Sequence, residues 1–212
     1  ISGVELSATL EGMDIHILAY LVDPNHPSLL DYLRIFRDER MNRAERIVKR
    51  LNQLGIGLTI HAVKAKAQKG AVGRPHIADA MVEEGYVFSV PEAFQKYLGY
   101  NRPAYERKYV LSPEEAIGLI HEAGGLASLA HPGIYKRDDL LSHLISCGLN
   151  GIETIHAKHT PEQISHFRES AKLHGLLETG GSDCHGGGRV QPTMGTVEVP
   201  YSFLERLKEA WR

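Results

Sequence analysis

The sequence predicts an α/β protein, a parallel sheet or β/α barrel whose chain is interrupted by a helical subdomain. Three observations predict it. Strand-like and helix-like segments alternate from Ser112 to the C-terminus, which is the rhythm of βαβ units. A strand pair opens the chain, and residues 24–110 between the two regions read almost wholly as helix. The expected organisation is therefore 1–23 with 111–212 as the β/α unit and 24–110 as the insertion.

The elements follow in order. Val4 to Ala8 and Ile15 to Leu21 read as two strands, with Glu11-Gly12 in the turn. The run Asp23-Pro24-Asn25-His26-Pro27 breaks the pattern. A long helix is expected from Ser28 to Leu54, with Gly55 as its stop and apolar residues such as Leu29, Leu33, Phe36, Ile47 and Leu51 at three- and four-residue steps. Its arginines at 34, 37, 40, 43 and 46 recur every third residue. Such a step rotates by about 60° on a 3.6-residue helix, so the stripe spirals. With Asp38, Glu39 and Glu45 beside it, this reads as a solvated face rather than a nucleic-acid stripe. Shorter helices are expected from Thr59 to Ala67, from Arg74 to Glu84, and from Pro91 to Leu98. Ser112-Pro113-Glu114-Glu115 starts the next helix, which ends at Ala123. Beyond it, strands are expected at Leu126–Ala130, Gly151–His156, Leu177–Gly180 and Thr196–Val199. Helices at Asp138–Cys147, Thr160–His174 and Ser202–Trp211 alternate with them.

Composition narrows the function. The chain has 212 residues, and 24 Lys+Arg against 26 Asp+Glu leave a net charge of −2. Binding to nucleic acid or membranes by bulk charge is thereby disfavoured. No apolar run approaches the ~18–20 residues that span a bilayer, and the N-terminus lacks the basic and apolar regions of a signal peptide. Cys147 and Cys184 are too few for a disulfide framework, so a cytoplasmic location is expected. The chain opens on Ile1, inside a strand, which predicts an upstream segment. Twelve histidines are the unusual feature, because imidazole is both a metal ligand and an acid or base at neutral pH.

Several of them fall where predicted strands end. Asp183 and His185 lie two apart after one strand, so in extended backbone both side chains reach the same side while Cys184 points away. His131 follows the apolar Leu126–Ala130 run and precedes Pro132. Glu5 and His16 lie in the opening strands. Alone, His16 between Ile15 and Ile17 reads as a core histidine, and Glu5 as an ordinary exposed residue. Together the four segments supply the mixed N/O donors of a metal site at the strand ends of a barrel. Carboxylates beside Cys184 would raise its pKa, which argues against a nucleophilic thiolate there. Gly73-Arg74-Pro75-His76 opens a helix, where free backbone N–H groups and a guanidinium suit a phosphate, or where the helix is simply capped. His156 and His159 close the Gly151–His156 strand and stand as residues behind the ligands or as leaving-group acids.

These pieces resemble the PHP superfamily, the polymerase and histidinol phosphatase domain. The resemblance rests on Gly3-Val4-Glu5, His16-Ile17-Leu18, Gly73-Arg74-Pro75-His76-Ile77-Ala78, Ala130-His131-Pro132-Gly133 and Gly181-Ser182-Asp183-Cys184-His185, in family order. It implies a distorted, TIM-like β/α barrel with two or three divalent metals, among Mn, Zn, Fe and Mg. Glu5, His16, His131, Asp183 and His185 match ligand positions, with Glu5 as the bridging carboxylate. Arg74 and His76 match positions near the substrate phosphate, and His76 and Asp183 are the expected catalytic residues. The helical insertion resembles stand-alone bacterial phosphoesterases that act on nucleotides or short RNA ends. The implied reaction is attack of a metal-activated hydroxide on phosphorus. No His-x-His motif occurs in these 212 residues, and no Asp-His pair precedes Glu5, so the family's first-strand ligands are expected upstream. An amidohydrolase-type metal hydrolase is the rival enzyme, although no strand-end lysine is evident apart from Lys158. A PHP-like structural or nucleic-acid-docking module is the non-enzyme rival.

Overall fold

The computed structural model describes residues 1–67, 71–135, 137, 139–184 and 193–211. The chain divides into two compact units, Ile1–Leu30 with Val110–Arg212, and Asp31–Tyr109.

The first unit is built on a five-stranded sheet of order β1-β2-β3-β4-β5. Strands β1 (Gly3–Leu10) and β2 (Met13–Tyr20) form an antiparallel hairpin. Its two turn residues, Glu11 and Gly12, have φ of 50° and 85°. That pair of left-handed residues is what a two-residue hairpin turn needs to match the strand twist. β3 (Leu126–Leu129) runs antiparallel to β2. β4 (Gly151–His156) and β5 (Leu177–Gly181) then add in parallel.

The expected parallel sheet is thus mixed, because a two-residue turn can only return the chain antiparallel. Nor is it a closed barrel among the described residues. The ladder ends at β1 and β5, and the outer edge of β1 makes only a bridge from Ala8 to Leu111. The expected Thr196–Val199 strand does not form. The Thr196 amide and hydroxyl both donate to the Thr193 carbonyl, at 3.1 and 2.7 Å, so they close a local turn rather than a ladder.

Helix starts follow the sequence signals. In α5 (Pro113–Glu122) the Ser112 hydroxyl accepts from Glu115 N at 3.2 Å, and the Glu115 carboxylate accepts from Ser112 N at 2.7 Å. Ser112→Ala should therefore cost ~1 kcal/mol in a denaturant titration, whereas an unchanged midpoint would show that the cap is dispensable. Helix α6 (Leu140–Ser146) starts later than expected, because the Asp139 carboxylate pairs with Arg137 and caps nothing. α7 (Pro161–His174) is capped by Thr160, and α8 (Tyr201–Trp211) closes the unit. α5 packs on β1, β2 and β3, α7 on β4, and α8 on β5. Leu6, Ala8, Ile15, Ile17 and Ala19 are buried on one face of the hairpin, with Ile117 and Ile120 of α5 also buried. Glu5, His16, Leu18 and Tyr20 occupy the other face, since side chains alternate along a strand.

The second unit is helical. α1 (Pro27–Gln53) runs into it from the first, followed by α2 (Ile60–Ala67) and α3 (Arg74–Glu83). The expected Pro91–Leu98 helix is one short α-turn, α4 (Val90–Ala93), that passes into a π-helical segment, Phe94–Leu98. Ile47, Leu51, Leu58, Val63, Ile77, Met81 and Leu98 form the core of this unit. The arginine stripe is largely spent inside the unit. Arg40 donates to Val72 O at 2.9 Å, Arg43 to Glu106 O at 2.8 Å, and Arg46 pairs with the Glu106 carboxylate at 3.8 Å. Among the described residues, no helix is long and apolar enough to cross a membrane.

Candidate metal centre

Polar groups from all five strands or the residues just past them gather on one sheet face: Glu5 of β1, His16 of β2, His131 after β3, Glu153 and His156 of β4, and Asp183 after β5. Across the hairpin Glu5 faces Leu18 and Ser7 faces His16, which makes Glu5 and His16 diagonal neighbours on one face. Glu5 Oε1 lies 2.5 Å from His16 Nδ1 and 3.6 Å from His131 Nε2, and the two ring nitrogens are 3.2 Å apart. The His131 and His16 imidazoles beside Glu5 hold its carboxyl well below the usual carboxylate range. His16 therefore stands on the polar face and not in the core; its flanking Ile15 and Ile17 are the buried ones.

His131 is held in an unusual backbone conformation. It follows β3 with φ 32° and ψ 57°, a left-handed geometry that non-glycine residues seldom adopt. The buried Glu153 carboxylate accepts its backbone N–H at 2.7 Å. Behind its ring, Tyr135 Oη lies 3.1 Å from Nδ1 and also accepts from His16 N at 2.9 Å. A phenolic oxygen that accepts from Nδ1–H would leave His131 Nε2 as a lone pair aimed at Glu5 and His16. Strain of this kind persists where the surroundings impose it, typically at functional sites.

The sequence reading missed Glu153 and Tyr135. Glu153 had a signal, as the one carboxylate in a largely buried strand. Burial pushes its carboxyl up to about 7, with Glu5 and Asp183 adding to the rise. Tyr135 had none, because a tyrosine four residues past a histidine is ordinary.

A register shift in β4 matters here. Glu153 pairs with Thr179 but Ile155 pairs with Gly180, so Thr154 is an extra residue between them. Such a bulge turns Glu153 and His156, three apart in sequence, toward the same face. Close packing of β5 at this point depends on Gly180, where an added Cβ would meet Ile155 O at 2.9 Å.

The groups around Asp183 complete the site. Asp183 follows β5 with φ 50°, so the extended geometry expected for Asp183-x-His185 does not hold at Asp183. The reason is that β5 already ends at Gly181. His185 lies outside the described residues. Asp183 Oδ2 is 3.7 Å from Lys158 Nζ and 3.9 Å from His156 Nε2. Lys158 thus stands just past the end of β4, facing the site.

His156 Nδ1 accepts from Lys158 N at 3.2 Å, while its buried Nε2 has no hydrogen-bond partner among the described residues. Burial, with His159 and His131 nearby, lowers its pKa to about 4. A neutral His156 can donate a hydrogen bond but is a poor store of a transferable proton at neutral pH. His159 is spent on backbone. Its Nδ1 bonds Thr154 O at 3.1 Å and its Nε2 accepts from Gly133 N at 3.3 Å, which clamps the turn after His131.

A cavity of about 170 Å³ is lined by Glu5, Tyr20, His131, Glu153, Gly181 and Asp183. A larger hollow of about 370 Å³, lined by Leu140, Ile152 and Phe167 among others, contains no carboxylate. Size alone is therefore a poor guide to the chemistry.

Arg74 and His76 belong to the helical unit. The Arg74 guanidinium donates to Leu98 O at 3.1 Å and lies 5.6 Å from the centres of the Phe94 and Tyr105 rings. His76 Nδ1 accepts from Gly73 N at 3.1 Å and so caps α3.

The residues present suit a divalent cation. A carboxylate and two imidazoles with donor atoms 2.5–3.6 Å apart form the mixed set that Zn, Mn or Fe accepts. The partner on the far nitrogen of His131 is the feature that orients metal-ligating histidines. The orphaned Nε2 of His156 adds a buried polar atom directed at Asp183.

No family model matches the sequence. The chain is 33% identical over 190 residues to the 5'-3' exoribonuclease Rnm of Escherichia coli, a match covering 87% of this chain and 65% of that protein. It is 32% identical over 204 residues to the 3',5'-nucleoside bisphosphate phosphatase of Chromobacterium violaceum, covering 93% of this chain and 72% of the relative. A Bifidobacterium adolescentis structure assigned as a metal-dependent phosphoesterase superposes with a TM-score of 0.81 at 31% identity, over 97% of this chain and 74% of that one. The Glu5–His16–His131 cluster and these likenesses agree, and the chain belongs to the phosphoesterase family that includes the bisphosphate phosphatase of Chromobacterium violaceum.

Proposed function

We propose that the chain is the PHP-type unit of a metal-dependent phosphoesterase that hydrolyses a phosphate ester of a nucleotide or of a short RNA end. The observation that carries this reading is the convergence of Glu5, His16 and His131 from three strands, with donor atoms no more than 3.6 Å apart. Asp183 and His185 are proposed to complete the ligand set. A bound divalent cation supplies a lowered water pKa and charge to offset that on the phosphoryl oxygens.

The chain's own groups do the rest. Tyr135 holds the His131 ring, and Glu153 holds its backbone in the left-handed geometry. His156 offers an Nε2–H donor to a phosphoryl oxygen without becoming cationic. Lys158 supplies fixed positive charge beside Asp183, which favours a phosphate dianion. Arg74, with His76 beside it, is proposed to bind a phosphate of the substrate. Its guanidinium is already ordered between two rings, so little entropy is lost on binding.

The test is hydrolysis of a 3',5'-nucleoside bisphosphate and of a 5'-phosphorylated oligoribonucleotide by chelator-stripped protein, with Mn, Zn, Fe or Mg added back. Phosphate release that needs added metal is expected. Release unaffected by stripping would remove the metal reading. Tyr135→Phe should weaken activating-metal affinity by roughly 10–100-fold, the usual effect of losing a partner behind a histidine ligand. Unchanged affinity would mean that Tyr135 does not orient His131.

One observation favours the amidohydrolase reading, the lysine at the end of β4. Lys158→Met separates the two. A phosphoesterase should keep most of its turnover and lose some phosphate affinity, whereas an enzyme that needs a lysine ligand should lose its metal.

A further inference from the structure

A second group of metal-type donors lies on the helical side of the same unit and takes no part in the site described above. Glu114 is in the first turn of α5, while His143 and Cys147 are at i and i+4 at the end of α6, one turn apart on one face. Glu114 Oε1 is 3.1 Å from His143 Nε2 and 3.5 Å from Cys147 Sγ, and Sγ is 3.8 Å from Nε2. We propose that Glu114, His143 and Cys147 form a separate binding site for a zinc-class cation, with the fourth position open to solvent.

Zinc bonds of about 2.0 Å to N and O and about 2.3 Å to S, set tetrahedrally, place N and O about 3.3 Å apart, and S about 3.5 Å from either. The observed triangle of 3.1, 3.5 and 3.8 Å departs from that by only a few tenths of an ångström. An ordinary His–Glu ion pair does not require a thiol at the third corner. The thiol selects the metal, since thiolate with imidazole favours zinc-class ions over Mg or Ca. Binding forms an S–metal bond, and the Cys147 thiol proton passes to solvent. Cys147 and His143 are half-buried and Glu114 is exposed, so the site is open to entry. Cys147 is a free thiol, with no disulfide competing for it. Closing the site ties the start of α5 to the end of α6, so a cation that binds only the folded chain raises its stability.

The experiment titrates Co²⁺ into metal-free protein carrying His131→Asn, which cripples the strand-end centre. The readout is the thiolate-to-cobalt charge-transfer band, with the melting temperature followed in parallel. A saturable band and a rise in melting temperature are expected. Cys147→Ser should abolish the band, and Cys184→Ser should leave it intact. His143→Ala keeps the thiol and should weaken Co²⁺ binding by more than about tenfold, since even partners behind a ligand are worth 10–100-fold. The proposal is overturned if no band forms, if it survives Cys147→Ser, if it disappears in Cys184→Ser, or if His143→Ala binds Co²⁺ unchanged.

Discussion

Replacing His131 by Asn in the full-length protein should lower phosphate-ester hydrolysis by roughly 10³-fold or more while leaving the fold intact. Asparagine is the choice because His131 sits at φ 32°, and asparagine tolerates that region better than most residues. The substitution removes the imidazole from the Glu5–His16–His131 group and keeps the backbone N–H that Glu153 accepts. Steady-state kcat/KM, metal content and far-UV circular dichroism on the same sample check it. Loss of metal and turnover together, with a native spectrum, is the expected pattern. A variant that keeps its turnover would remove the centre from the reaction.

The opposite kind of effect is expected one residue from another member of the group. Ile17 follows His16 in β2 but points into the core with no exposed surface. Ile17→Ala should cost about 2–5 kcal/mol, the loss of buried methyl groups plus the cavity left behind. Denaturant titration measures it, and the folded fraction should hydrolyse substrate at the wild-type rate. A loss below about 1 kcal/mol would show that the face beneath the site is loosely packed. His16→Ala should do the reverse, sparing stability and cutting turnover. Neighbours in sequence thus govern separate properties, because a strand sends successive side chains to opposite faces.

Much of this protein was legible in order along the chain. Helix starts such as Ser112 and Thr160 carry caps that act within four residues, so local sequence is enough to place them. The Glu11-Gly12 turn is equally local. Glu5 and His16, inside the opening strands, and His131, just past β3, were singled out in the sequence, and their donor atoms lie within 3.6 Å of one another. His156 and His159 look alike in sequence, yet one has a nitrogen left over and the other has both engaged. Nothing local distinguishes them, because the difference lies in which backbone groups happen to be within reach.

The polarity pattern by itself determined the mixed α/β class, the helical stretch between the two β-containing regions and the candidate ligand types, since these depend on neighbours a few residues away. Tertiary structure alone decided that the sheet is mixed and open among the described residues, and that the extra residue Thr154 brings Glu153 and His156 to one face. It also decided that Tyr135, behind His131, accepts from His16 N, 119 residues away in the chain. Those outcomes depend on pairings between groups more than a hundred residues apart in the chain, or on the register of one strand against the next. A linear sequence lists the donors and acceptors but not the distances between them.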